Sequence, residues 1–99
     1  MSEPKQQKQL TAVIHGTVQG VSFRYYTQQT ARRLGLTGWV ANQWDGTVKT
    51  VAEGDDVVLQ EFLTFLHNGP AAARVQRVDA TWGEATGAFT TFSVRYQHG

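Results

Sequence analysis

The chain has 99 residues, room for one hydrophobic core and not for two. Nine Lys and Arg against eight Asp and Glu leave a formal charge of +1, which excludes a protein built to follow a long run of nucleic-acid phosphates. There is no cysteine, so disulfide scaffolds, thiolate zinc sites, iron–sulfur clusters and thiol nucleophiles are excluded too, and apolar burial must hold the fold.

Residues 1–9 carry charge at Glu3, Lys5 and Lys8 but no apolar stretch, which predicts a disordered tail and not a signal peptide. No apolar run approaches the roughly 20 residues of a membrane helix, so a cytoplasmic protein is expected. Residues 10–14 are apolar and β-prone at Val13 and Ile14, closed by Gly16, and read as a first strand. Residues 23–34 have helical spacing, with Phe23, Thr27, Thr30, Ala31 and Leu34 on one face, cations at Arg32 and Arg33, and Gly35 as the stop. Residues 36–44 read as a second strand and 47–51 as its partner. Between them, Asp45 and Gly46 form the dipeptide of a tight hairpin with positive φ at both central residues. Gly54, Asp55 and Asp56 open a second helix with a ready cap. Its predicted stripe is Val58, Phe62, Phe65 and Leu66, flanked by Leu59 and Leu63, and Gly69 and Pro70 end it. Residues 75–82 form a fourth strand, and residues 83–87 a turn. A last strand covers 89–96, with Phe92, Val94 and Tyr96 on one face.

The order β-α-β-β-α-β plus a short terminal strand predicts an α+β, ferredoxin-like split βαβ sandwich: an antiparallel sheet with two helices on one face. One domain at residues 10–96 is expected, with a tail at 97–99. Such an architecture hosts many chemistries, so function has to come from the site.

Residues 16–24 join the first strand to the first helix through Gly16 and Gly20 and end on Arg24. First-turn amides lack intrahelical partners and carry partial positive charge, and curled successive N–H groups make a nest for phosphate oxygens. Arg24 adds a permanent charge and a planar fork that can grip two oxygens. Read alone, the segment is equally a tight strand-to-helix turn with an exposed arginine. Asn42 is a poor β-former in a half-buried strand. Parallel pairing of the second strand with the first would bring it near that loop, where its amide could hold one water. Taken alone, it is an asparagine close to a turn. His15, His67 and His98 lie far apart, with no metal-ligand spacing, and His15 is expected on the face away from the helices. Asp55 and Asp56 read as a cap, Ser22 has no adjacent base, and Trp39, Trp44 and Trp82 read as core or rim aromatics.

An anion cradle, a guanidinium and an amide, without nucleophile, acid or metal ligands, suit phosphoryl transfer to water. A carboxylate leaving group, whose conjugate acid has a pKa of about 4, departs unprotonated. A carboxylic–phosphoric anhydride meets that condition and an alkyl phosphate ester does not.

Residues 14–24, from Ile14 through Gly16, Val18, Gln19, Gly20, Val21, Phe23 and Arg24, resemble the first acylphosphatase signature. Gly38, Trp39, Val40, Ala41 and Asn42, followed by Gly46, Val48 and Gly54, resemble the second. The similarity continues through residues 31–36 and 92–96. It implies a small, free-standing, metal-independent acylphosphatase that needs no cofactor and splits acyl phosphates into a carboxylate and inorganic phosphate. Carried onto this chain, Arg24 would bind the phosphate with the amides of Gln19, Gly20, Val21, Ser22, Phe23 and Arg24, and Asn42 would orient the water. The expected partners are then a small acyl phosphate and inorganic phosphate, the latter as product and competitive inhibitor. Neither nucleic acid nor membrane is expected, and the chain should act as a monomer. The chain departs from the pattern in running past Tyr96, where several members of the family end. A non-catalytic anion-binding domain of the same fold is the alternative.

Overall fold

In residues 7–17 every second side chain from Leu10 to Ile14 is buried while its neighbours are not, the period-two signature of a strand with one face on a core. The computed structural model describes residues 6–97. They form β1 (Gln7–Thr17), α1 (Phe23–Arg33), β2 (Thr37–Asn42), β3 (Val48–Asp55), α2 (Asp56–Asn68), β4 (Arg74–Glu84) and β5 (Phe92–Gln97). The sheet runs β4-β1-β3-β2-β5. Leu10, Ala12, Ile14, Val40, Val48 and Ala52 meet Phe23 and Ala31 of α1 and Leu59, Phe62 and Leu66 of α2 in one core. The ferredoxin-like α+β sandwich expected from the element order is the fold observed.

Several expectations need correction. The sheet is mixed: β5 pairs with β2 in parallel, while every other pairing is antiparallel. The second strand does not touch the first, because β3 lies between them. β1 begins at Gln7 and not at residue 10, since Gln7, Lys8 and Gln9 pair with Asp55, Gly54 and Glu53 of β3. Polar side chains suffice there because the backbone ladder, not burial, extends the strand. Of the rest of the expected tails, Gln6 O accepts from Asp56 N–H at 3.1 Å and Gln97 ends β5, while residues 1–5 and 98–99 lie outside the described residues. The hairpin turn has positive φ at Gly46 alone, with Gly46 N–H donating to Gln43 O at 3.1 Å and Gln43 N–H to Thr47 O at 2.9 Å. It is a longer turn closed by a bulge glycine, which needs one left-handed residue and not two. In α2 the buried stripe is Leu59, Phe62 and Leu66, while Val58 and Phe65 are only partly covered.

Because β4 and β5 occupy opposite edges, residues 85–91 must cross the sheet on the face without helices. Four interstrand steps of about 4.8 Å make some 19 Å, and seven extended residues reach about 24 Å, so the crossing has little slack. Phe89 packs there on Trp39, Ala41 and Val51. Glu53 of β3, only 5% exposed, fastens it, accepting from Thr86 N–H at 2.9 Å, Thr86 Oγ1 at 2.8 Å, Gly87 N–H at 3.0 Å and Gln9 Nε2 at 2.7 Å. Burial pushes this carboxyl up, but the Thr86, Gln9 and Gly87 donors outweigh it and leave the pKa below the ordinary value. A lowered folded-state pKa means that the contribution to stability is present above the unfolded pKa and lost as pH falls through the folded one. Glu53→Gln should therefore lower stability at neutral pH by about 2 kcal/mol and flatten the acid limb of the stability–pH curve below about pH 4. Urea denaturation of both proteins from pH 7 to pH 3 checks this; parallel curves would show that Glu53 does not hold the crossing.

Candidate active site

The loop between β1 and α1 is shaped by backbone rather than by side chains. At its start the β1–β4 register slips between His15 and Gly16, and Gly16 takes φ 133 with its Cα hydrogen where a Cβ would strike the Arg74 carbonyl. Val18 then plugs into the core. Gly20 at φ 75 and Ser22 at φ 61 are both left-handed, Ser22 being the one non-glycine with positive φ among the described residues. Left-handed residues at alternate positions curl the amides toward one side, as in a nest. Ser22 is also the N-cap of α1, yet its side chain makes no capping bond. The first helical bond runs from Tyr26 N–H to Ser22 O, so the amides of Phe23, Arg24 and Tyr25 have no acceptor within the helix. An anion can take them.

The side chain of Gln19 points elsewhere. Its Nε2 donates to Gln43 O and to Thr47 O, both at 2.8 Å, and so ties the loop to the β2–β3 hairpin. On the other side of Gln43, the β2 strand ends at Asn42. Thr47 is itself fixed, its N–H and Oγ1 donating to Asp45 Oδ1 at 3.0 and 2.6 Å. The Thr47 hydroxyl and N–H hold the Asp45 carboxyl below its ordinary pKa, with a smaller contribution from His15.

Arg24, the second residue of α1, is held by the edge strand β5. The parallel register with β2 slips there, Ala41 facing Arg95 and Asn42 facing Gln97, so one residue of β5 is extra. The carbonyls on either side of that bulge, Arg95 O at 2.9 Å and Tyr96 O at 3.3 Å, both accept from Arg24 Nη1. The Tyr96 ring lies 5.6 Å from the guanidinium carbon. Among the described residues these hydrogen bonds engage one nitrogen of the fork, Nη1.

Asn42 shares the face of Val40, two residues earlier, which is the face that carries the helices. It reaches the loop on that shared face and through the Gln19 bridge, not through strand pairing with β1. Gly20, Ser22, Phe23, Arg24 and Asn42 together line a depression of about 490 Å³, with Val18, Tyr25, Gln28 and Val94 among its other walls. Of the expected site residues, Gln19 and Val21 do not line it. Gln28 is braced by donating to Phe92 O at 3.3 Å. Among the described residues, no carboxylate, imidazole or thiol is in this lining. His15 lies on the far face as expected, with Asp79 Oδ2 at 3.0 Å and Arg77 Nη2 at 3.2 Å from its Nε2. Asp55 caps α2, accepting from Val57 N–H. The sequence missed the roles of Gln19 and of the β5 carbonyls. Gln19 carries no pattern that separates a bridge from a ligand, and a backbone carbonyl 71 positions away has no residue signature at all.

Comparison with known proteins places this geometry in context. A family model described as Acylphosphatase matches residues 10–94. The chain is 47% identical over 89 residues to an acylphosphatase of Salinibacter ruber, covering 90% of this chain and 94% of that protein. It is 46% identical over 88 residues to one of Dehalococcoides mccartyi, covering 88% and 97%. The crystal structure of acylphosphatase from Bacillus subtilis superposes with a TM-score of 0.86 at 36% identity, over 90% of this chain and 99% of that one.

The Gln19 bridge yields a direct expectation. Gln19→Ala removes two hydrogen bonds that tie the loop to the hairpin beyond the end of the β1–β3 ladder, and should cost about 1–3 kcal/mol. Urea unfolding measures that cost; a change within about 0.5 kcal/mol would mean that loop and hairpin hold their places without the amide.

Proposed function

The chain belongs to the acylphosphatase family and is a hydrolase of acyl phosphates, and on that premise we propose how its residues divide the reaction. Arg24 and the amides of residues 19–24 hold the phosphoryl group, and Asn42 orients the attacking water. The water oxygen forms a bond to phosphorus while the bond from phosphorus to the acyl oxygen breaks, its electron pair leaving on the carboxylate. The proton lost by the water passes to a phosphate oxygen or to solvent. A carboxylate leaving group needs no proton. The work is therefore positioning and neutralisation of charge, and a guanidinium with oriented amides supplies both without a metal. The observation that carries this reading is that Arg24, Asn42 and the two left-handed loop residues open into one depression.

Arg24 meets charge present in ground and transition state alike, so Arg24→Ala should lose both inorganic phosphate affinity and turnover. Arg24→Lys restores the charge but not the fork and should recover only part. Asn42→Ala should keep phosphate binding by calorimetry and lose about a hundred- to a thousandfold in rate. Near-normal turnover of a folded Asn42→Ala protein would remove Asn42 from the mechanism.

Hydrolysis of a generic aromatic acyl phosphate should continue in chelator and be inhibited competitively by inorganic phosphate. Activity lost with chelator and restored by magnesium or zinc would overturn the metal-free reading.

A further inference from the structure

A second depression, of about 570 Å³, begins where the phosphate depression ends: the two share Gly20 and Ser22. Its remaining walls are Val21, Tyr26, Phe65 and the turn residues 70–72. Tyr26 stands one helical turn beyond Ser22 on α1. Phe65 comes from α2 and rests on Phe23, with ring centroids 6.3 Å apart. Gly69, at φ 67, ends α2 and turns Pro70, Ala71 and Ala72 toward the loop. None of these walls carries a charge, and neither Arg24 nor Asn42 is among them.

The geometry of displacement selects what this depression takes. Entering and leaving oxygens lie roughly in line through phosphorus, on opposite sides of it. With the phosphoryl group on the loop and the water on the Asn42 side, the acyl arm must leave away from β2. The second depression opens from the loop away from Asn42. We propose that it is the acyl subsite, and that it favours acyl phosphates with an uncharged, apolar acyl group, aromatic or branched, over short or anionic ones. Apolar atoms gain by leaving water against Tyr26 and Phe65, whereas a carboxylate placed there would lose its hydration with no partner. The proposal rests on the reading of residues 19–24 as the phosphate cradle.

The test compares benzoyl phosphate with acetyl phosphate on the intact chain and on two variants at exposed positions outside the cradle, Tyr26→Ala and Ala72→Gln. The unaltered protein should have the lower KM for benzoyl phosphate. Tyr26→Ala should raise that KM about tenfold, the scale of one well-formed aromatic contact, and leave acetyl phosphate unchanged. Ala72→Gln, which adds a polar group to the wall, should act in the same direction. Equal effects on both substrates, or none on either, would overturn the acyl subsite while leaving the hydrolase and its cradle intact. Failure of the unaltered protein to hydrolyse either compound would overturn the cradle reading and the subsite with it.

Discussion

Placing the last strand next to β2, at the opposite edge from β4, forces the chain across the whole helix-free face of the sheet, and much of the site depends on that crossing. It is short for the distance, so it cannot wander, and it is fastened at the buried carboxylate of Glu53 and by Phe89 on Trp39. The crossing delivers β5 in parallel, with a bulge at its end, and the bulge turns two carbonyls onto Arg24. A guanidinium at the second position of a helix would otherwise sample many rotamers and lose entropy on gripping an anion. Here one face of the molecule prepares a charge on the other.

The second support of the site is Gln19. Its amide joins the loop that offers N–H groups to the hairpin that ends in Asn42, and the hairpin is stiffened by the Asp45 turn. The amide leaves the cradle's own donors unused, since both of its bonds go to backbone carbonyls outside the depression. Loop, helix terminus, hairpin and edge strand are four separate pieces of chain. They meet because β1, β3 and β2 lie side by side and both helices cover one face.

Much of this was legible in the residues. Element order gave the fold class, because the β-prone apolar run at residues 10–14 and the helical spacing at Phe23, Thr27 and Ala31 are local properties. Gly16 and Gly20 marked the sharp turn before α1, since glycine takes those φ values without strain, but the left-handed Ser22 carried no such mark. What stayed hidden was carried by partners remote in sequence. Leu59 was read as a flank of α2, but the tilt of the helix on the sheet decides which face is covered. The start of β1 at Gln7 rests on pairing with β3, which polar side chains do not advertise. Asn42 reaches the loop by a shared sheet face and the Gln19 amide bridge, and not by adjacency of β2 to β1, because β3 lies between those strands.

The hold on Arg24 has an evolutionary side. Main-chain oxygens grip it, so the side chains of Arg95 and Tyr96 can drift without loosening the two hydrogen bonds, and the Tyr96 ring adds only a stacking contact. Selection for a poised guanidinium then acts on the length of the crossing and on the slip of the β5 register, quantities altered by insertion and deletion more than by substitution. Two relatives could differ at the side chains of Arg95 and Tyr96 and still keep the same arginine in place.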